Sequence, residues 1–310
     1  MRRVGITLAS ADQRHQLQIG QFKLANGLET LNPGRDRDFV ASIVTDTFTL
    51  NRRSTISYHH HGEHGGATVG VFGREIGQFG FKGNGELLRG YRVWQRDGWT
   101  LHAAASLADY DTPGDLYRIR GRPGSDRPGA RVIDSGALRD GNRVRLLGVE
   151  TLALHGPWKW QAEYLRCAVR RDGDAPHDDV GDYHPQGWYA ALVWNLGDQP
   201  WGYQRGIVVT PRPKGNATLW QLALRVEDMD LDDGRVRLGS DAAPLPEHAV
   251  DGVLGGQVRT LTVGANLYWH EHVQLLLDVT QAHVRRFDAT RGTVRRDTPE
   301  IVSLRFQYAW

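Results

Sequence analysis

Neighbouring residues in this chain are sorted into two environments, and the sorting repeats at every second position. From 219 to 227 the even positions are Trp220, Leu222, Leu224 and Val226, while the odd ones include Gln221, Ala223, Arg225 and Glu227. From 259 to 269 Arg259, Leu261, Val263, Ala265, Leu267 and Trp269 alternate with Thr260, Thr262, Gly264, Asn266 and Tyr268. Between 273 and 280, Val273, Leu275, Leu277 and Val279 oppose Gln274, Leu276, Asp278 and Thr280, and only Leu276 breaks the pattern. In the last ten residues Val302, Leu304, Phe306, Tyr308 and Trp310 oppose Ile301, Ser303, Arg305, Gln307 and Ala309. A period of two belongs to the extended strand, whose side chains point alternately to its two faces. Stretches with the 3.6-residue period of an amphipathic helix are absent, so the chain is constrained to sheet with one oily and one wet face.

Earlier segments repeat the division less cleanly: Trp99, Leu101, Ala103, Ala105 and Leu107 share a face, as do Trp188, Ala190, Leu192 and Trp194. Clusters such as Asp111-Thr112-Pro113-Gly114, Arg122-Pro123-Gly124-Ser125-Asp126-Arg127-Pro128-Gly129 and Asp232-Asp233-Gly234 mark turns and loops. About fourteen strands are predicted, near 4–9, 15–23, 52–61, 66–74, 86–96, 98–109, 142–155, 158–171, 184–196, 203–211, 216–230, 257–269, 272–284 and 299–310.

Composition narrows the setting of that sheet. The 310 residues carry a formal net charge of +2, so no strong overall field draws the chain to nucleic acid. Mean hydropathy is −0.49, and no stretch approaches the ~18 consecutive apolar residues of a spanning helix. That value is compatible with a transmembrane β-barrel, in which lipid-facing apolar residues alternate with lumen-facing polar ones. Thirty-seven Gly, ten Trp and ten Tyr beside two Met also describe a turn-rich, aromatic β chain. The single cysteine, Cys167, can form no internal disulfide and is read as a small side chain in a strand. Met1-Arg2-Arg3 leads straight into Val4-Gly5-Ile6-Thr7-Leu8 without the apolar core and cleavage site of a signal peptide, so the leader is expected to have been removed or the start truncated.

The joins alternate in length. Those at His155-Gly156-Pro157-Trp158 and Trp269-His270-Glu271-His272 are tight, whereas 110–141 and 231–256 are long. A barrel shows this when turns lie on one membrane side and loops on the other. Trp94, Trp99, Trp158, Trp160, Trp188, Trp269 and Trp310 gather near strand ends, where a lipid interface holds amphipathic rings. Packing inside a β-sandwich is the competing use for such rings.

Several segments, in this order, resemble the phosphate-selective porins O and P, outer-membrane channels of Gram-negative bacteria. They are Gly20-Gln21-Phe22-Lys23 with Leu28-Glu29; Val132-Ile133-Asp134-Ser135-Gly136-Ala137-Leu138; Gly156-Pro157-Trp158 leading into Gln161-Ala162-Glu163-Tyr164; and Gln186-Gly187-Trp188-Tyr189. Trp220-Gln221-Leu222-Ala223-Leu224-Arg225, Thr262-Val263-Gly264-Ala265-Asn266-Leu267-Tyr268-Trp269 and Arg305-Phe306-Gln307-Tyr308-Ala309-Trp310 complete the likeness. It implies one antiparallel transmembrane β-barrel over residues 1–310, in the bacterial outer membrane among its lipids, assembled as a homotrimer. The alternating Phe306, Tyr308 and Trp310 resemble the terminal signal by which the barrel-assembly machinery recognises such chains. Family barrels have about sixteen strands, so N-terminal strands and a signal peptide are expected to be missing from the sequence given.

A passive pore needs no catalytic group or cofactor, only lumen charges that select solutes. The 38 basic residues include only four lysines, Lys23, Lys82, Lys159 and Lys214. Such a bias alone is compositional, but Arg118, Arg120 and Arg122 alternate, and in an extended segment they project from one side. Arg127 and Arg131 follow nearby. The run just before Asp134-Ser135-Gly136-Ala137 resembles the family's pore-lining arginine ladder, which hands anions inward, for positions 118, 120 and 122; a solvated basic loop is the plain alternative. For a deeper lysine cluster Lys23, in the matched Gln-Phe-Lys, ranks ahead of Lys82 and Lys159.

Other constellations carry less. Among His59, His60, His61 and His64, neighbours on a strand point apart, so at most His59, His61 and a turn residue could converge, and a hydrated strand end outweighs a metal site. Asp228, Asp230, Asp232 and Asp233 invite a calcium loop, yet Asp233 stands where that loop needs Gly and Gly239 where it needs Glu. No phosphate cradle, Gly-x-Ser-x-Gly or His-Glu-x-x-His is present, so nothing argues for catalysis. The expectation is a porin passing small hydrophilic solutes, preferring phosphate or polyphosphate as the resemblance implies. Two alternatives stay open: a soluble all-β carbohydrate-acting enzyme or lectin, which would bury Trp220, Leu222, Leu224 and Val226 between sheets, and a non-conducting structural barrel, whose lumen loops would plug.

Overall fold

A computed structural model describes residues 4–74, 83–124, 131–172, 181–213, 215, 217–236, 250–270, 272–288 and 291–308. Its elements in chain order are β1 (Val4–Ala9), β2 (His15–Lys23), α1 (Leu28–Leu31), α2 (Ile43–Phe48), β3 (Arg52–His61), β4 (Gly65–Phe72), β5 (Gly85–Arg96) and β6 (Trp99–Asp111). There follow β7 (Arg120–Gly121), β8 (Ile133–Asp134), β9 (Gly141–His155), β10 (Trp158–Arg171), β11 (Gln186–Leu196), β12 (Gly202–Gln204) and β13 (Ile207–Val209). The last are β14 (Thr218–Val236), β15 (Val250–Trp269), β16 (Val273–Asp288), β17 (Thr293–Asp297) and β18 (Glu300–Tyr308).

Fourteen strands form one antiparallel meander in the order β1-β2-β3-β4-β5-β6-β9-β10-β11-β14-β15-β16, after which both β17 and β18 pair with β16. β17 takes the loop end of β16 and β18 the remainder, so these two are halves of one run and the sheet crosses thirteen times. With an odd number of crossings β1 and β18 run in the same direction, and no ladder between them is among the described pairings. The predicted strand at 203–211 is instead the hairpin β12–β13, outside the main sheet, because three-residue arms set off by Arg205-Gly206 cannot span. Similarly, β14 and β15 continue well beyond 230 and before 257, shortening that join to 237–249. The period-two reading missed these extensions because the Asp232-Asp233-Gly234 cluster, read as a turn, lies within β14.

Joins alternate as predicted, except that 197–217, at the tight-turn end, is long and carries the β12–β13 hairpin. Asp97-Gly98 closes β5 onto β6 with both residues at positive φ, 51° and 78°, the two-residue turn that matches strand twist. The β9–β10 and β15–β16 joins are comparably tight, whereas 24–51 and 112–140 at the opposite end are long.

The faces are inverted relative to a soluble protein. Trp220, Leu222 and Leu224 are 48, 46 and 44% exposed, while Gln221, Arg225 and Glu227 are 0, 1 and 3% exposed. This excludes the soluble sandwich, in which the apolar set would be covered. Ile56, Val69, Val71, Leu88, Leu101, Val149, Leu261, Val263, Leu277, Val279, Val302, Leu304 and Phe306 continue the exposed apolar band. At the tight-turn end it is edged by Trp94, Trp99, Trp158, Trp160, Trp194, Trp220 and Trp269, with Trp158 stacked on Trp194 at 5.1 Å and Trp99 on Trp160 at 5.7 Å. Trp188 sits at the loop end.

Residues 24–51 lie inside the curl of the sheet. The backbone N–H groups of Leu28 and Glu29 donate to Glu163 on β10, and Asn266 on β15 donates to the Asp38 carbonyl. The Val40 N–H donates to Asp278 on β16, and Arg305 on β18 donates to the Gly34 carbonyl. One short segment touching strands from the middle to the far edge of the sheet requires that sheet to wrap round it. Ile43, Val44 and Phe48 of α2 join Ile119 and Ile133 of the 112–140 segment and inward-facing Leu146, Leu165, Cys167, Val169 and Met229 in an apolar core within the lumen. Both helices are too short, at four and six residues, to leave a 3.6 period in the sequence.

Replacing Leu224 by Arg puts a charge on the exposed apolar face. Refolding in lipid vesicles should show the variant about 2–4 kcal/mol less stable, whereas a variant as stable as wild type would mean this face is not in lipid.

Candidate functional site

Two inward-folded segments and three strands enclose a cavity of about 560 Å³ near the long-loop end. Its walls carry Lys23 at the end of β2, Arg52 at the start of β3, Arg37 from the first segment, Arg120, Arg122 and Arg131 from the second, and Arg305 on the inward face of β18. Asp46 is the one carboxylate lining it among the described residues. That β2, β3 and β18, from opposite edges of the sheet, line one cavity shows again how far the wall curls.

Local structure explains the aim of each arginine. Ile119 and Ile133 are buried in the lumen core, and the Val132 N–H donates to the Gly121 carbonyl at 3.1 Å. The short β7–β8 ladder thereby pins 119–121 against 133–134, with Arg120 and Arg122 turned away from the core into the cavity. Partial burial, together with the neighbouring Arg120 and Arg122 charges, lowers the Arg131 pKa from its ordinary value. In the first segment Arg37 bonds Asp46 at 2.8 Å, and Lys23 Nζ donates to the Asn32 carbonyl at 2.6 Å.

Of the residues predicted to line a pore, Lys23, Arg120, Arg122 and Arg131 come together here. Arg118 does not line the cavity: it forms a two-pronged pair with Asp134, at 2.8 and 2.5 Å, on an exposed edge. Burial would raise the Asp134 pKa, but the bonds from Arg118 and the Gly136 N–H hold it below the usual carboxylate value. Arg127 and Lys82 lie outside the described residues. Lys159 is buried elsewhere, bonded to Asp38 and 4.1 Å over the Trp201 ring. Arg37, Arg52 and Arg305 escaped the sequence reading. Arg305 was legible in principle, as the alternation places it opposite Phe306, but nothing marked 24–51 as an inner wall.

A buried ionic clamp holds that wall. Arg225 on β14 bonds both oxygens of Glu29 at 2.9 and 2.8 Å and the Ser42 hydroxyl at 2.6 Å, and its guanidinium lies 3.9 Å from the Tyr189 ring centre. Ser42 also caps α2, accepting from the Thr45 N–H at 3.1 Å, and donates to Glu227 at 2.7 Å. Thr45 donates to Glu29 at 2.6 Å. Burial alone would raise the Glu29 pKa; the Arg225 charge and hydrogen bonds bring it down to about 2.

At the tight-turn end His59 and His61 face inward together, ring centres 6.2 Å apart, while His60 turns to His15 at 4.9 Å. His59 bonds Thr68 and His61 bonds Tyr91. Among the described residues no three His, Cys, Asp or Glu side chains gather as a metal site.

An inverted β-wall around a basic lumen cavity is porin architecture, and the family comparison decides which porins. The model of the family described as phosphate-selective porin O and P matches residues 2–310. The chain belongs to that family. This porin is therefore a non-enzymatic channel of the bacterial outer membrane, as the ordered segments from Gly20 to Trp310 predicted. No curated protein matches it. Among solved structures it is similar to OmpT folded in vitro, an outer membrane protein of Vibrio cholerae, with a TM-score of 0.52 and 7% identity over 100% of this chain and 80% of that one. At that identity the likeness shows the fold alone, and it supports the barrel.

Proposed function

We propose that this porin conducts anions in preference to cations, with phosphate or polyphosphate as the favoured solutes. The observation that carries the reading is the cavity wall, where Lys23, Arg37, Arg52, Arg120, Arg122, Arg131 and Arg305 face one carboxylate among the described residues, Asp46, itself bonded to Arg37. Guanidinium forks suit phosphate oxygens, and a narrow passage with low-dielectric walls focuses their field. A non-conducting barrel would also fill its lumen with loops. Here the two inner segments leave a basic cavity of about 560 Å³, room for a hydrated phosphate. Planar-bilayer recording in a potassium chloride gradient, then in a phosphate gradient, tests the proposal. Discrete channels with the reversal potential on the anion side are expected; reversal at zero or on the cation side refutes anion preference.

A further inference from the structure

The outward face of the wall is as asymmetric as the lumen. At the tight-turn end the apolar band is edged by tryptophans, but at the loop end of β9 and β10 it is edged by Arg143, Arg145, Arg166 and Arg170. Below them on the same outward alternation lie Leu147 and Val149 of β9 and Tyr164, Ala162 and Trp160 of β10. Trp160 and Arg170 are ten residues apart, about 33 Å along the strand and about 25 Å along the membrane normal at a tilt of roughly 40°. That is the height of a barrel's apolar band, so the arginine heads stand where the headgroups of the loop-side leaflet begin. Arg166 enters the band's upper edge and reaches the same level along its flexible stem.

The sheet brings these cations together against their mutual repulsion. Arg143 and Arg170 are direct cross-strand partners, Arg145 faces Ala168 between Arg166 and Arg170, and Arg166 faces Leu147. Like charges in direct opposition destabilise a strand pair unless something neutralises them. The described residues supply too little: Asp109 is shared by Arg143 and Arg145, Asp111 on β6 is the cross-strand partner of Arg143, and Asp172 lies 3.4 Å from Arg170. No carboxylate among the described residues pairs with Arg166. Four guanidinium groups thus meet three carboxylates, none of them paired with Arg166, on the outward face of the wall and not in the lumen.

We propose that this patch binds a phosphate-bearing lipid headgroup of the loop-side leaflet, with the acyl chains lying on the apolar band below. The headgroup phosphate supplies the missing negative charge between Arg145, Arg166 and Arg170, and the band supplies the apolar surface a free anion would not use. The inference concerns the outer wall and is independent of solute preference in the lumen.

Native mass spectrometry of the detergent-purified porin with bisphosphoryl lipid A tests it. The wild type is expected to retain the lipid, with binding that falls steeply as salt rises. The R145Q/R166Q/R170Q variant should bind on the order of a hundred-fold more weakly, as three interfacial cations are lost. The Arg→Lys triple variant should bind nearly as well as wild type, and the same glycolipid without its phosphates should bind as weakly as to the Gln variant. Inorganic phosphate should not displace the lipid, and channel reversal potential should be unchanged in every variant. Equal binding of the phosphorylated and unphosphorylated lipids by wild type overturns the proposal, as does displacement by inorganic phosphate. Should the Gln variant not refold, wild-type discrimination between the two lipids and its salt dependence decide the question.

Discussion

Replacing Arg120, Arg122 and Arg131 together by glutamine is expected to lower the anion-to-cation permeability ratio at least about ten-fold. At ~7 Å each unit charge is worth ~0.6 kcal/mol to a passing ion even at the dielectric of water, and the three act in the same direction. What remains in the cavity is Lys23, Arg52 and Arg305, with Arg37 engaged by Asp46. The reversal potential in a salt gradient should therefore move towards zero, with the barrel still folded, since none of the three arginines is part of the lumen core. Arg118→Gln alone should leave the reversal potential where it is, because that side chain is committed to Asp134 and does not line the cavity. A shift from Arg118→Gln with none from the triple variant would transfer selectivity out of the cavity and onto the exposed loop.

A different and larger change is expected from Arg225→Ala. Removing this guanidinium leaves Glu29 and Glu227 buried without their countercharge, and breaking such a pair costs about 3–5 kcal/mol. The cost falls on the contact between β14 and residues 24–51, so that segment should leave the lumen. Larger and noisier single-channel conductance and new protease cleavage between 24 and 51 would report this, whereas wild-type conductance and resistance would show that the apolar core suffices to hold it. The same clamp sets a pH limit. Glu29 titrates at about 2 when folded against an ordinary value of 4.5, so its contribution is full above about pH 4.5 and is lost as pH falls towards 2. Acidification from about pH 4.5 towards 2 should therefore raise wild-type conductance as the Glu29 contribution is lost.

Much of this was legible because the strand period is so regular. Once Trp220, Leu222 and Leu224 could be set against Gln221, Arg225 and Glu227, the wall and its two solvents followed, although which side held lipid needed the family resemblance or the coordinates. The candidate site was only half legible. Arg120, Arg122 and Arg131 stood out as a cluster in sequence, but alternation grouped Arg118 with them, and only the competing carboxylate of Asp134 separates it. The first inner segment was opaque for a physical reason. Its helices are single turns held by tertiary bonds from Glu163, Arg225, Glu227 and Asp278, and those partners lie more than a hundred residues away, beyond any local pattern.

Those separations also bear on how the chain reaches its final state. The Val40 contact with Asp278 closes a span of 238 residues and the Gly34 contact with Arg305 one of 271. Residues 24–51 are made early and are unable to acquire these partners until the last strands exist, yet a finished wall would have to admit an apolar segment through its mouth. The favoured order is one in which the N-terminal segment waits at the growing edge and the C-terminal strands close over it. Contacts so distant in sequence form slowly. Docking of the inner segment therefore comes after the pairing of adjacent strands.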